Sequence, residues 1–137
     1  MIAPPTHLLD TSVYCQPIRR RPLASVEERW ESLGDGRLCS SVICEAEIRQ
    51  GLELARSGKL WKAYEEILEG RLPLLPVDAA VAHEYARLAA ETQRRGKRRP
   101  ALDLLVAATA SAHRLVVATC NAKHFVGLGV PVEDWSK

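Results

Sequence analysis

The stretch "ALDLLVAATASAHRLVVATCN", residues 101–121, decides the fold class. Its first half carries apolar residues all round a helix, so that helix must be buried. Its second half, "RLVVATCN" (114–121), is a β-branched apolar run without period-two alternation. Such a run reads as a strand covered on both faces, the signature of a parallel sheet. Pro100 suits the first helical turn.

Working outward, helices and strands alternate. "HLL" (7–9) is a second short buried strand, and "RLCSSV" (37–42) a third. Between them "LASVEERWESLGDG" (23–36) has helical periodicity and stops at glycines. "SVICEAEIRQGLELARSG" (41–58) reads as a helix with Ser41 as N-cap and Gly58 at its end. "KLWKAYEEILEG" (59–70) is amphipathic, with Trp61, Tyr64, Ile67 and Leu68 on one face. That face packs in the core or across a dimer. "RLPLLPVD" (71–78) holds a short strand that its prolines keep off the sheet centre. "AAVAHEYARLAAETQRRG" (79–96) is a helix whose basic end suits the helix dipole. "AKHFVGLG" is a short helical turn and "VPVEDW" a last strand. The expectation is an α/β fold, a short parallel sheet covered by helices on both faces.

Length and composition fit one domain over 1–137, with 1–6 a loose lead-in. Lys and Arg number 19 and Asp and Glu 17, so net charge alone neither demands nor excludes a polyanion. The distribution is more telling: three arginines stand at 19–21, and five of the six residues from Arg94 to Arg99 are basic. The four cysteines form no CxxC pair and no zinc-spaced cluster, and read as reduced thiols of a cytoplasmic protein. Neither a signal peptide nor a membrane span is expected.

In open α/β sheets, sites form at the carboxyl ends of strands. "HLLDTSVYC" (7–15) ends its strand on Asp10, and "LVVATC" is followed by Asn121. A buried acid costs desolvation unless something pairs with it. Asp10 therefore either caps the next helix or helps to hold a cation. Asp103 opens the apolar helix, where a dipole acid and a ligand are equally good readings. In "CEAEIRQG", Glu45 and Glu47 lie two apart and face opposite sides. Glu47 sits beside Ile43 and Ala46 and four residues before Gly51, where a close approach is expected, so Glu47 is the inward acid and Glu45 the solvated one. Glu47 alone would be a routine surface acid; the joint placement of the three carries the reading. Unneutralised, they repel. An all-oxygen set favours Mg²⁺ or Mn²⁺ over zinc, and such an ion serves phosphate chemistry. Thr11 and Ser12 either support Asp10 or merely start a helix. Arg94, Arg95, Lys97, Arg98 and Arg99 either attract the phosphates of a polyanion or are a solvated helix end. Arg19–Arg21 have a weaker case, and His124 reads as a turn residue near the site.

The segments "LLDTSVY", "SSVICEAEIRQG", "ALDLLVAATASAHRLVVATCNAKHF" and "VPVEDW" together resemble the PIN domain, specifically VapC/FitB-type toxin ribonucleases. They run in family order over nearly the whole chain. The resemblance implies a three-layer α/β/α fold and a metal-dependent endoribonuclease cutting cellular RNA such as tRNA, rRNA or mRNA. It implies metal binding at Asp10, Glu47 and Asp103, with Asn121 completing the catalytic set. Some PIN nucleases have a fourth acid at the place of Asn121, and an amide there adds no charge. A cognate antitoxin and a homodimer are the implied partners. Two other classes fit the residues less well. A haloacid-dehalogenase-like phosphatase wants a second Asp two residues after the first, and Ser12 stands there. A catalytically silent PIN-like module binding RNA or protein has no need of all three acids.

Overall fold

The three central strands are short and covered on both faces. β1 (His7–Leu9) and β2 (Leu38–Ser41) are buried at every position, and β4 (Val116–Thr119) at all but its first. Period-two alternation would put polar groups into that core, and it is absent, as the apolar runs predict. The computed structural model describes residues 3–137. Its five strands pair in the order β3-β2-β1-β4-β5, with every pairing parallel. The edges are β3 (Leu74–Leu75), kept short by its flanking prolines, and β5 (Val132–Asp134). Helices sandwich this sheet in the α/β/α arrangement expected from the alternation.

Between β1 and β2 the chain forms α1 (Thr11–Tyr14), a 3₁₀ turn (Gln16–Ile18) and α2 (Ala24–Leu33). α3 (Val42–Ala55) follows β2 directly, with the Ser41 hydroxyl accepting from the Cys44 N–H as N-cap. α4 (Gly58–Ala63) runs on into a π-helical turn, Tyr64–Leu68. α5 (Ala79–Arg94) and α6 (Ala101–His113) pack on one another before β4. α6 buries Leu104, Val106, Ala107, Ala108, Thr109 and Ala110, which is burial nearly all round, as its composition demands. Leu8, Leu9, Val13, Leu38, Val117 and Trp135 are fully buried beneath the helices. Among the described residues no helix is long and apolar enough to cross a membrane. All four cysteines are free; Cys39 and Cys44 are buried, Cys15 and Cys120 half-buried.

Several details depart from expectation. Met1 and Ile2 of the expected lead-in lie outside the described residues. Thr6 is not loose: its N–H donates to Arg37 O at 2.9 Å and its carbonyl accepts from Val116 N at 3.0 Å. It prolongs β1 between its two neighbours. α3 ends at Arg56, which takes the left-handed conformation (φ +49°). Gly58 instead opens α4 behind the Ser57 cap, because a hydroxyl at 57 satisfies a new helix start. The wider π turn rotates Ile67 out to 44% exposure while Tyr64 and Leu68 stay fully buried. The aromatic face of this segment therefore belongs to the core, through Tyr64 and Leu68. Gly51 lies exposed on α3, and a Cβ there would meet nothing within 4 Å. No close approach requires it.

Candidate active site

Asp10 caps the next helix, the first of the two readings of its position. Its Oδ1 accepts from the Val13 N–H at 3.2 Å and caps α1. The same oxygen accepts from Ser12 Oγ at 2.6 Å, and Oδ2 accepts from Thr119 Oγ1 at 2.5 Å. Each hydroxyl is aimed from behind. Ser12 Oγ accepts from the Cys120 N–H at 2.9 Å, and Thr119 Oγ1 accepts from the Asn121 N–H at 2.9 Å. The ends of β1 and β4 are thus locked around one carboxylate, which is only 7% exposed. Burial pushes the Asp10 carboxyl above its ordinary value, against the hydrogen bonds from Ser12, Thr119 and the Val13 backbone.

Glu47 reaches the same edge from α3. Thr11 Oγ1 donates to its Oε1 at 2.6 Å. Glu45 turns away and accepts from the Tyr64 hydroxyl at 2.9 Å. It is half-buried and bonded rather than solvated, because the π turn brings Tyr64 against α3. Burial, with Glu45 adding to it, raises the Tyr64 pKa, so that hydroxyl stays a donor. Glu47 lines the cleft for a different reason from the one its spacing offered. Ala46 and Gly51 are exposed, and the hydroxyl of Thr11 is what holds Glu47 in place.

Asp103 stands in the first turn of α6, with its Oδ2 3.6 Å from His124 Nδ1. That is an ion-pair separation, too long for a hydrogen bond. Asn121 is exposed at the start of the following 3₁₀ turn (Ala122–His124), and its carbonyl accepts from the His124 N–H at 2.9 Å.

Asp10, Thr11, Ser12, Glu47, Asp103, Asn121 and His124 line one cleft of about 270 Å³, with Cys15, Val106 and Phe125 as its apolar wall. The acids come from three separate segments. Among the described residues no three of the His, Cys, Asp and Glu side chains converge tightly enough to grip a metal by themselves. The carboxylates surround the space without closing on it. A larger groove of about 590 Å³ lies between Gln16, Val26, Trp30 and Arg71, but its cation is already spent on Asp35 at 3.0 Å.

The basic residues divide by what they touch. Arg94, Lys97 and Arg98 are exposed, as are Arg19–Arg21. Arg95 pairs with Glu91 at 2.6 Å. Arg99 donates to three backbone carbonyls, those of Lys123, His124 and Val126. Thr119 escaped the sequence reading altogether. A threonine closing an apolar strand is an ordinary β residue, and only the pairing of β4 beside β1 sets its hydroxyl on Asp10.

Residues 7–126 match the family model described as the PIN domain. The chain is 32% identical over 130 residues to the tRNA(fMet)-specific endonuclease VapC of Shigella flexneri, covering 94% of this chain and 97% of that protein. It is 37% identical over 131 residues to Toxin FitB of Neisseria gonorrhoeae, covering 91% and 94%. Among solved structures, it superposes on FitAcB from Neisseria gonorrhoeae with a TM-score of 0.86 at 32% identity, over 95% of this chain and 98% of that one. DNA-bound VapBC from Salmonella typhimurium gives 0.82 at 28% identity, over 96% and 98%.

Proposed function

This chain belongs to the PIN domain family, and on that premise we propose that it is the toxin of a toxin–antitoxin pair, a metal-dependent endoribonuclease hydrolysing RNA phosphodiester bonds. The observation that carries the reading is the single cleft into which Asp10, Glu47, Asp103 and Asn121 are gathered from four parts of the chain. The relatives named as a VapC endonuclease and a FitB toxin support it along nearly the full chain. The whole of 1–137 acts as one nuclease domain in the cytoplasm, where an RNA substrate and reduced thiols are found together. A cognate antitoxin is its inhibitor, in keeping with the FitAcB and VapBC complexes whose toxin fold it shares. It works as a homodimer, as the family resemblance implies.

The donor set fits Mg²⁺ or Mn²⁺. It offers carboxylate and amide oxygens, and burial keeps the Cys15 thiol above its ordinary pKa, so no thiolate is presented. An ion of this kind keeps several waters and needs only one or two carboxylates, so an open cleft suits it better than a tight cage. Asp10, Glu47 and Asp103 would hold it, directly or through water, with Asn121 beside them. When bound, it lowers the pKa of water and offsets charge developing on phosphate oxygens. The chain's own contribution is orientation. Ser12 and Thr119 fix both oxygens of Asp10, and Thr11 fixes Glu47. Phe125 and Val106 give the cleft an apolar wall beside the acids.

The test is cleavage of cellular RNA by the wild type and by Asp10→Asn, each with Mn²⁺ and with EDTA. Cleavage by the wild type in Mn²⁺ alone is expected. Cleavage that persists in EDTA, or full activity in Asp10→Asn, overturns the mechanism. RNA binding with no cleavage under any condition would mark a silent module instead.

A further inference from the structure

One wall of the cleft, carrying Asn121, His124 and Phe125, is a loop with little regular structure. It holds one 3₁₀ turn and then bends at Gly127 (φ +86°) and Gly129 (φ +76°), conformations that favour glycine. From below it is anchored by Phe125 and Leu128, both buried. From outside it is held by Arg99. Arg99 Nη1 donates to the carbonyls of Lys123 at 3.1 Å and His124 at 2.7 Å, and Nη2 donates to that of Val126 at 2.6 Å. These carbonyls lie at the end of a short turn, where helix-type acceptors go unsatisfied without such a donor. Arg99 itself stands four residues before Asp103.

We infer that Arg99 is a positioning residue of the active cleft: its guanidinium ties the segment leading into Asp103 to the loop that carries Asn121 and His124, and so sets the width of the cleft. The inference rests on the nuclease reading above. The chemistry selects arginine. A planar fork of donors spans three carbonyls at once, whereas an ammonium concentrates its donors at a point. Arg99 has thereby spent most of its donors, unlike its neighbour Arg98. Arg98 is exposed and makes no side-chain hydrogen bond among the described residues. Within a single basic cluster, one residue shapes the cleft while the other is free to meet an anion.

The experiment compares Arg99→Ala, Arg99→Lys and Arg98→Ala. Cleavage of an RNA oligonucleotide in Mn²⁺ gives kcat and KM, and RNA binding at several salt concentrations gives the salt slope. Hydrogen exchange of the metal-free, RNA-free protein follows residues 119–129. For Arg99→Ala the expected result is a kcat lower by about 10- to 100-fold, the penalty of a displaced reacting group. KM and the salt slope should hold, and exchange should quicken in 119–129 alone. Arg99→Lys should recover only part of kcat. Arg98→Ala should lower the salt slope by about 0.7 to 0.9, the loss of one phosphate contact, with kcat kept. A reduced slope and raised KM in Arg99→Ala, with kcat and exchange intact, would make it a phosphate contact and overturn the inference. Faster exchange throughout the molecule would do the same by showing a general structural role. A wild type that cuts no RNA would instead overturn the nuclease reading, and the exchange measurement would still decide the role of Arg99.

Discussion

Thr119→Val removes one hydroxyl and keeps the β-branched shape of a fully buried residue. The hydroxyl it deletes donates to Asp10 Oδ2 at 2.5 Å and accepts from the Asn121 N–H at 2.9 Å. Asn121 is exposed, so water replaces the second bond at little cost. The first is a hydrogen bond to a buried carboxylate, and losing it costs about 1.5–3 kcal/mol, against about 1 kcal/mol for a neutral pair. A chain of this length loses roughly 3–4 °C of Tm per kcal/mol. The expected fall at neutral pH is therefore about 5–12 °C. The pH dependence is more diagnostic than the fall itself. Asp10 is raised from 3.8 by burial, so its protonated form favours the fold. Its contribution to stability is fullest below 3.8 and declines as pH rises through the folded value. Thr119 favours the carboxylate, so its loss raises the folded value further and extends the decline to higher pH. Melting curves in EDTA should then show a small gap between the two proteins in acid and the full gap at neutral pH. A gap that is constant across pH, or a fall of under about 1 °C, would refute a role for Thr119 in holding the Asp10 carboxylate.

Asp10→Asn keeps the α1 cap and removes a buried charge, so in EDTA at neutral pH it should melt no lower than wild type. Mn²⁺ at about a hundredfold over its Kd should stabilise wild type by about 2.7 kcal/mol and leave Asp10→Asn unmoved, as read by thermal shift. Glu47→Gln should reduce RNA cleavage on the order of a hundredfold or more, since even outer partners of a metal site cost 10- to 100-fold. Glu45→Gln should keep the activity, because its carboxylate faces Tyr64; equal losses from both would refute the division of labour between them. Asp35 is pushed up by burial but held below its ordinary value by Arg71 and Trp30. Its contribution is therefore present above 3.8 and lost as pH falls through the folded value. The pair is well exposed, so Asp35→Asn should lower Tm by only about 1–4 °C at neutral pH and by nothing in strong acid.

Periodicity and punctuation made the order of strands and helices legible, because burial on both faces forbids alternation in β1, β2 and β4. The same logic marked Asp10 and Asn121, which follow apolar strands, and Asp103, which opens an apolar helix. Helix ends read less well, since a cap at Ser57 and a left-handed Arg56 compete with Gly58 by local energies of about 1 kcal/mol. The π turn had no local signal, and it alone decided that Ile67 faces outward and that Tyr64 reaches Glu45. Sequence by itself determined which residues are acidic, apolar or able to end a helix, properties that travel with each side chain. The tertiary structure alone decided which hydroxyl holds which carboxylate, and which arginine binds carbonyls rather than solvent. Those partners lie 109 residues apart for Asp10 and Thr119, and 24 to 27 apart for Arg99 and its loop. Hydrogen bonds act over about 3 Å in space, and no spacing along the chain encodes that distance.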